Sequence, residues 1–199
     1  PTILNDAGSG AGAAAMRSAR EFLQRGWQSA AASYHDLWGE LTRQAVEPML
    51  DALAVSAGSA VLDVACGPGY VASAAARRGA HAVGIDFSDE MIRIATQLHP
   101  EAEFRTGDAE KLPFKARCFS AVAMNFSVHH FVHPQSVLSE ARRVLRPGGR
   151  VAFSVWASPD VAKGASIVYA ALKAHGTMRV RLPPAPPLWR LDDPDDACR

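Results

Sequence analysis

An aspartate and two glycines lie close together at the end of an apolar segment in the first half of the chain. Residues 61–69 read Val-Leu-Asp-Val-Ala-Cys-Gly-Pro-Gly, so Asp63 precedes Gly67 by four residues. A glycine turn between a buried strand and a helix lets a ligand approach the backbone closely. Because Gly67, Gly69 and Ala72 also satisfy the G-x-G-x-x-A spacing of dinucleotide-binding proteins, the spacing alone does not identify the ligand.

The charge of Asp63 favours one class of adenosine cofactor over another. The pyrophosphate of NAD would lie at the helix N-terminus, where an aspartate at the end of the same strand would repel it. S-adenosylmethionine instead carries an ammonium and a sulfonium group in its methionine part, and both would be attracted to Asp63. The alternative is that Asp63 only caps and tightens the turn.

Two further acids follow predicted strands. Asp86 ends an apolar segment 23 residues after Asp63 and can hold ribose hydroxyl groups, a role that NAD and S-adenosylmethionine proteins share. Residues 102–106 lead into Gly107 and Asp108, and a carboxylate there can accept a hydrogen bond from the exocyclic amine of adenine. Taken alone, a Gly-Asp pair is also a common turn.

The segment after Asp86 carries a helix start signal. Ser88 can cap the next helix, and the two acids that follow it place negative charge in the first turn. Phe87 could stack on a flat base, and Met91 begins the apolar face of the helix. For Phe87 and Met91 the alternative is ordinary packing in the core.

Hydrophobic periodicity predicts five strands separated by helices. A helix is expected over residues 134–145, with Pro134 at its first position and the Pro-Gly-Gly sequence at 147–149 ending it. Strands that alternate with helices pair in parallel through right-handed crossovers, so an α/β fold with a Rossmann-like, doubly wound, mostly parallel sheet is expected. The strands are predicted at residues 61–64, 82–86, 102–106, 121–124 and 151–155.

Taken in order, these motifs resemble the class I S-adenosylmethionine-dependent methyltransferases, and within them the small-molecule branch similar to the ubiquinone/menaquinone C-methyltransferases. The resemblance covers about residues 34–156. One position departs from the family pattern, because Ser120 stands where the family usually has an acid, and this puts the local turn in doubt more than the chemistry. The matching segments are VLDVACGPG, VGIDFS, GDAEKLPF, MNFSVHHF and LRPGGRVAFSVW.

The resemblance implies a set of cofactor-binding residues. In the family the glycine loop contacts the methionine part, the acid after the second strand binds ribose, and the Gly-Asp-Ala segment contacts adenine. Residues after the fourth strand line the path to the methyl group, and a tyrosine of the N-terminal cover approaches the cofactor's carboxylate. By position these roles fall on Tyr34, Asp63, Gly67, Gly69, Asp86, Asp108, Ala109, Asn125 and Phe126. The predicted cofactor-binding set also includes Ala65, Cys66, Phe87, Met91 and Gly107.

The implied reaction needs little from the protein beyond positioning. Methyl transfer from a sulfonium is an in-line displacement that leaves neutral S-adenosylhomocysteine, and it requires no metal. A base is needed only if the acceptor must lose a proton, and His129 and His130 are the candidates. Packing or a backbone hydrogen bond is the alternative that we favour for this pair, so no catalytic residue is predicted. The apolar Phe126, Val128 and Phe131 indicate an apolar or aromatic small-molecule acceptor.

The domain prediction divides the chain into four segments. Residues 1–15 have the composition of a flexible leader or an added sequence, and residues 16–55 resemble the N-terminal helical cover of the family. In that cover Tyr34 and Trp38 could instead form an aromatic pair that packs the helices, and Pro48 should begin or kink a helix. Residues 56–158 form the cofactor-binding core, and residues 159–199 form a C-terminal helix and a proline-rich tail.

The predicted sheet has an exposed edge. Family members normally continue with two further strands, which this sequence lacks, so the fifth strand is expected at an open edge that could pair with a second copy. We predict that a partner subunit, as in a homodimer, or the C-terminal segment covers this edge.

Composition excludes several other classes of protein. The net charge of +1 over 199 residues gives no basic surface for nucleic acid, and no apolar run approaches the length of a membrane helix. Three cysteines without zinc spacing indicate reduced thiols in a cytoplasm, and no metal site is predicted.

Three functions therefore remain open. Methyl transfer to a small molecule is the leading one. A protein that binds S-adenosylmethionine without catalysis, or a truncated methyltransferase, is the second. An NAD-dependent oxidoreductase is the least favoured, because it rests on the glycine spacing alone and Asp63 opposes its pyrophosphate.

Overall fold

The sheet is a five-stranded parallel sheet in which the third, second, first, fourth and fifth strands of the chain lie side by side in that order. The computed structural model describes residues 10–158 and 161–176. The chain starts in the middle of the sheet, moves to one edge and then returns to build the other half, which confirms the doubly wound prediction. The strands are β1 Ala60–Val64, β2 His81–Asp86, β3 Glu103–Thr106, β4 Phe119–Met124 and β5 Leu145–Phe153.

Helices cover both faces of the sheet. Val61 of β1 packs with the helices at residues 46–52 and 70–77 on one face, whereas Leu62 and Val64 pack with the helix at residues 134–144 on the other. Because successive side chains of a strand point to opposite faces, a strand buried on both sides needs this continuous apolar sequence. The helices are α1 Gly10–Leu37, α2 Gly39–Arg43, α3 Val46–Ala52, α4 Tyr70–Arg77, α5 Asp89–Leu98, α6 Pro134–Val144 and α7 Lys163–His175, with a 3-10 helix at Val128–His130.

The predicted helix signals are found at their expected places. The hydroxyl of Ser88 accepts a hydrogen bond from the amide of Met91 at 3.2 Å, as an N-cap does. Pro134 begins α6, and Pro48 lies in the first turn of α3, where a missing amide costs no helical hydrogen bond. Ser120, the departure from the family pattern, joins β4 to β1 because its hydroxyl bonds both the amide and the carbonyl of Ala60.

Two boundaries differ from the prediction. Residues 10–15, expected in a flexible leader, belong to α1; four of these six residues are alanine, the strongest helix former. The fifth strand starts at Leu145, before the predicted stop signal, because Leu145 pairs with Phe119 and Arg150 pairs with Ala121. Residues 146–149 therefore bulge out of the ladder instead of ending the element.

The C-terminal region bears on the edge of the sheet. Helix α7 falls where the sequence predicts one, and the proline-rich segment 182–187 lies outside the described residues. Within the described ranges β5 pairs with β4 alone, so coverage of its outer edge stays a prediction. No helix in these ranges is both long and apolar enough to cross a membrane.

Candidate functional site

A cavity of about 1030 Å³, including its open mouth, lies at the carboxyl ends of the strands beneath α1. This is the edge where doubly wound sheets bind ligands. Of the fourteen residues predicted to bind the cofactor, twelve line it: Tyr34, Ala65, Cys66, Gly67, Asp86, Phe87, Met91, Gly107, Asp108, Ala109, Asn125 and Phe126.

The glycine loop after β1 reaches the cavity through backbone that favours glycine. Gly67 and Gly69 have φ angles of +51° and +85°, in the left-handed region. A Cβ atom on Gly69 would lie 2.6 Å from the ring of Phe104, so this glycine is required for packing behind the loop and does not line the cavity.

Asp63 also lies behind the loop. The residue is 1% exposed, and one of its carboxylate oxygens accepts a hydrogen bond from the amide of Ala72 at 3.1 Å. Burial, with the nearby charge of Asp86 as a smaller cause, raises its pKa from 3.8 to about 7. Asp63 therefore supports the first turn of α4, the alternative that the sequence leaves open, and it does not line the cavity.

Asp86 ties the end of β2 to the glycine loop. Its two carboxylate oxygens accept hydrogen bonds from the amides of Gly67 and Ser88, each at 2.9 Å. Burial raises its pKa to about 6, against the opposing effect of these hydrogen bonds, so the group is largely ionised at neutral pH. An ionised carboxylate retains acceptor capacity for ligand hydroxyl groups on the side that faces the cavity.

Asp108 pairs with a residue that the sequence reasoning missed. Its carboxylate accepts a hydrogen bond from the amide of Glu110 at 2.8 Å and forms an ion pair with Arg20 of α1 at 2.7 Å. Arg20 and Glu110 both line the cavity. The periodicity of α1 could have indicated Arg20, because Leu23, Trp27 and Tyr34 share its cavity-facing side.

The end of β4 is held by a polar network. The side-chain amide of Asn125 donates to the carbonyl of Thr42 at 3.1 Å, and its oxygen accepts from the hydroxyl of Ser154 at 2.7 Å. That hydroxyl also accepts from the amide of Phe126 at 2.9 Å. Asn125 thus joins the N-terminal helices to the core.

Comparison with known proteins agrees with this arrangement. Residues 62–153 match the family model described as a methyltransferase domain. A demethylmenaquinone methyltransferase of Clavibacter sepedonicus is 37% identical over 128 residues, which are 63% of this chain and 49% of that protein. Residues 62–153 are a methyltransferase domain of the class I S-adenosylmethionine-dependent type. The cofactor of this family is S-adenosylmethionine.

Solved structures of this methyltransferase fold are also similar. A chain of the complex between the Haloferax volcanii Trm112 methyltransferase activator and a methyltransferase is 27% identical, with a TM-score of 0.60, and the match covers 65% of this chain and 59% of that one. The cyclase SpnF is 27% identical with a TM-score of 0.53, over 56% of this chain and 43% of that one. The chain spans about half the length of the curated relatives it matches.

Aromatic residues form the other end of the cavity. The ring of Phe126 lines it and stacks on Trp156 at 4.1 Å, and Trp156 in turn meets Trp38 edge to face. Tyr34 packs edge to face on Trp27 at 5.6 Å. Tyr34 and Trp38 therefore do not form the aromatic pair that the sequence leaves open as an alternative, because the two side chains take different aromatic partners.

The structure separates the two candidate histidines. His130 lines the cavity and packs against Trp27 at 5.0 Å between ring centres, whereas His129 does not line it, and both ring nitrogens of His129 are buried without a hydrogen-bond partner. Burial lowers the pKa of His129 to about 4 and that of His130 to about 3. Both imidazoles are therefore neutral at physiological pH.

The charges along the cavity are mostly negative. Asp86, Asp108 and Glu110 line it, and Arg20 is the one guanidinium among the described lining residues. Because Arg20 is already paired with Asp108, the remaining field attracts a cation and opposes a pyrophosphate. The described ranges hold no group of three or more His, Cys, Asp or Glu residues arranged to bind a metal ion.

Proposed function

We propose that the protein transfers the methyl group of S-adenosylmethionine to a small, apolar or aromatic acceptor. The observation that carries the proposal is one cavity with a carboxylate-lined part, at Asp86 and Asp108, and an aromatic part around Phe126.

The carboxylate-lined part suits the adenosine of the cofactor. In this proposal Asp86 accepts hydrogen bonds from the ribose hydroxyls, and Asp108 accepts one from the adenine amine. Phe87 and Met91 line the same region and offer apolar contact to the base. The backbone of residues 65–67 leaves space for the methionine part, since Gly67 has no side chain.

The aromatic part suits the acceptor. Phe126, Phe131 and Trp27 are among the residues that line the cavity, and flat apolar rings bind well between such side chains. The similarity to proteins named demethylmenaquinone methyltransferase supports an acceptor with a flat ring, because a quinone has one.

The chemistry proposed for the site relies on positioning. The acceptor atom attacks the methyl carbon in line with the sulfur, and the electron pair of the broken carbon–sulfur bond stays on the leaving group. His130 is the candidate proton acceptor that lines the cavity, but an imidazole with a pKa of about 3 is a weak base. We therefore assign no general base.

The test is a calorimetric titration with S-adenosylmethionine, S-adenosylhomocysteine and NADH, followed by incubation with labelled cofactor and mixed aromatic acceptors. We expect binding of the adenosyl ligands alone, at least tenfold weaker in Asp86→Asn, and labelled methyl product. Glu101→Gln, an acid that does not line the cavity, is the matched control and should bind normally. NADH binding without binding of S-adenosylmethionine would overturn the proposal and favour an oxidoreductase.

A second candidate is cofactor binding without methyl transfer. The similarity to SpnF, a protein named as a cyclase, favours it, because the fold then serves a reaction other than methylation. Binding of S-adenosylmethionine with no labelled product from any acceptor would support this second function.

Two further proposals concern the protein's surroundings. We propose that the outer edge of β5 pairs in a homodimer, since an unpaired strand edge offers a row of free amide and carbonyl groups. Light scattering that gives the mass of one chain would contradict it.

We also propose a cytoplasmic location, because Cys66 and Cys118 are free thiols; secretion of the protein with oxidised cysteines would disprove it.

A further inference from the structure

A groove rich in arginine lies at the end of the sheet opposite the cavity. Arg117 precedes β4, and Arg142 and Arg143 end α6 just before β5, so the groove lies at the amino ends of these strands. The cavity lies at the carboxyl ends, and the two share no residue among the described lining residues. The groove is therefore a separate surface. It is lined by Ala116, Arg117, Ser139, Arg142, Arg143 and Leu145.

The guanidinium group of Arg143 is bound within the protein. It pairs with the carboxylate of Glu140 at 2.7 Å and donates to the carbonyls of Leu112 and Phe114 at 3.0 and 2.8 Å. The same carboxylate accepts a hydrogen bond from the amide of Leu112 at 2.8 Å. Arg143 and Glu140 therefore neutralise each other and hold the loop after β3 against α6.

Arg117 and Arg142 are not neutralised in this way. Both are exposed, and in the part of the chain that the structure describes their guanidinium groups form no hydrogen bond or ion pair. The segments 115–118 and 139–146 contain one acid, the paired Glu140, against five cations. The groove therefore carries a positive field that attracts anions. The five cations are Lys115, Arg117, Arg142, Arg143 and Arg146.

The backbone holds Arg117 at the groove in a conformation that favours glycine. Its φ angle is +57°, and its amide donates to the carbonyl of Arg143 at 3.0 Å. The next amide, of Cys118, donates to the carbonyl of Val144 at 2.8 Å, so the turn satisfies carbonyls at the end of α6 without help from an arginine side chain. Arginine at this position carries a strain that glycine would avoid, and no contact of its guanidinium group among the described residues offsets that strain.

We propose that this groove is a phosphate-binding site, in which Arg117 and Arg142 supply the charge and Ser139 supplies a hydroxyl donor. The planar fork of an arginine matches two oxygens of a phosphate, and a phosphate group has enough oxygens for both arginines at once. The phosphate belongs either to an anionic lipid or to a free phosphorylated molecule, since the groove recognises the group itself. The inference does not depend on the cofactor or the methyl acceptor of the cavity.

Two phosphate probes test the site and distinguish these sources. Inorganic pyrophosphate would be titrated into the full chain by calorimetry at about 0.15 M salt, where distant charges are screened. Phosphatidylcholine vesicles with and without phosphatidic acid would be sedimented with the protein. Binding of pyrophosphate would identify a free phosphorylated molecule, and binding only to the vesicles that contain phosphatidic acid would identify a lipid.

Variants assign the binding to the groove. We expect Arg142→Gln to bind the same probe about tenfold more weakly, because it loses a charge-assisted contact. Arg25→Gln removes the same charge from an exposed position of α1 and should bind as the wild type does. Arg117→Gly should also bind about tenfold more weakly, whereas its midpoint in urea unfolding should stay level or rise because the strain at the positive φ angle is removed.

Three results would overturn the proposal. Binding of neither probe would show that the groove is only a solvated surface. An equal loss of binding in Arg25→Gln and Arg142→Gln would show that the probe responds to the overall charge of the protein. A lower urea midpoint for Arg117→Gly would show that the arginine stabilises the fold, which would leave its strained backbone without a role in ligand binding.

Discussion

The buried carboxyl group of Asp63 predicts a specific dependence of stability on pH. Its pKa is raised from 3.8 to about 7, a difference of about three pH units, which corresponds to about 4 kcal/mol. Between these two values the folded protein holds a proton that the unfolded chain gives up. The contribution of Asp63 to stability is therefore fully present below about pH 4 and is lost as the pH rises to about 7.

The variant Asp63→Asn isolates this contribution. Asparagine keeps the size of the side chain and the oxygen that accepts from the amide of Ala72, but it cannot ionise. We expect the unfolding free energy of the variant minus that of the wild type to rise by about 4 kcal/mol between pH 4 and pH 7, and to stay level above pH 7. Urea unfolding followed by circular dichroism across this range gives the difference directly.

Subtracting the unfolding free energy of the wild type from that of Asp63→Asn at the same pH removes the opposing pH dependence that the histidines cause. Burial lowers the pKa values of His129 and His130, so their contributions to stability rise with pH over part of the same range, equally in both proteins. Glu140→Gln is the matched control. Hydrogen bonding to Arg143 lowers the pKa of Glu140 below 4.5, so the unfolding free energy of this variant minus that of the wild type should be level from pH 5 to pH 8. If the unfolding free energy of Asp63→Asn minus that of the wild type is also constant between pH 4 and pH 7, the reasoning is refuted.

Three substitutions test other parts of the site. Gly69→Ala should lower the unfolding free energy by about 1–3 kcal/mol in urea titrations, because of its positive φ angle and the ring of Phe104; an unchanged midpoint would contradict this packing. His129→Leu should stabilise the protein by about 1 kcal/mol, because it removes two buried ring nitrogens without hydrogen-bond partners. Calorimetry should then show a higher thermal midpoint, and a lower midpoint would show that the nitrogens are satisfied. Ser154→Ala should cost about 1–3 kcal/mol in the same urea assay, since it removes bonds to Asn125 and Phe126, and a cost near zero would indicate that water replaces the hydroxyl.

The residues that the sequence predicted well are those fixed by local chain order. Asp86 ends β2 and Asp108 follows β3, and parallel strands bring their carboxyl ends to one edge of the sheet. The motif spacing therefore sufficed to place them beside the glycine loop. The role of Asp63 could not be read from the motif spacing alone, because only its burial in the structure shows that it supports the turn and does not line the cavity.

The residues that the sequence reasoning missed depend on contacts between distant segments. Arg20 reaches Asp108 because α1 crosses the cavity, and Ser154 reaches Asn125 because β5 lies beside β4. No local pattern encodes such pairs. The bulge at residues 146–149 was missed for a different reason, because Pro-Gly-Gly indicates a turn equally well inside a strand and after a helix.

The separation of charged and neutral residues in the cavity has a consequence for reaction rate under the proposed function. Positive charge on sulfur disperses in the transition state of methyl transfer, so an anion beside the sulfur would stabilise the bound reactant more than the transition state. The carboxylates of Asp86 and Asp108 belong to the part proposed for adenosine, and the third carboxylate of the lining, Glu110, accepts a hydrogen bond from the amide of His133. Asn125, Phe126 and the neutral His130 are uncharged residues of the lining. The protein can thus attract a cationic cofactor from a distance without raising the barrier at the atom that reacts.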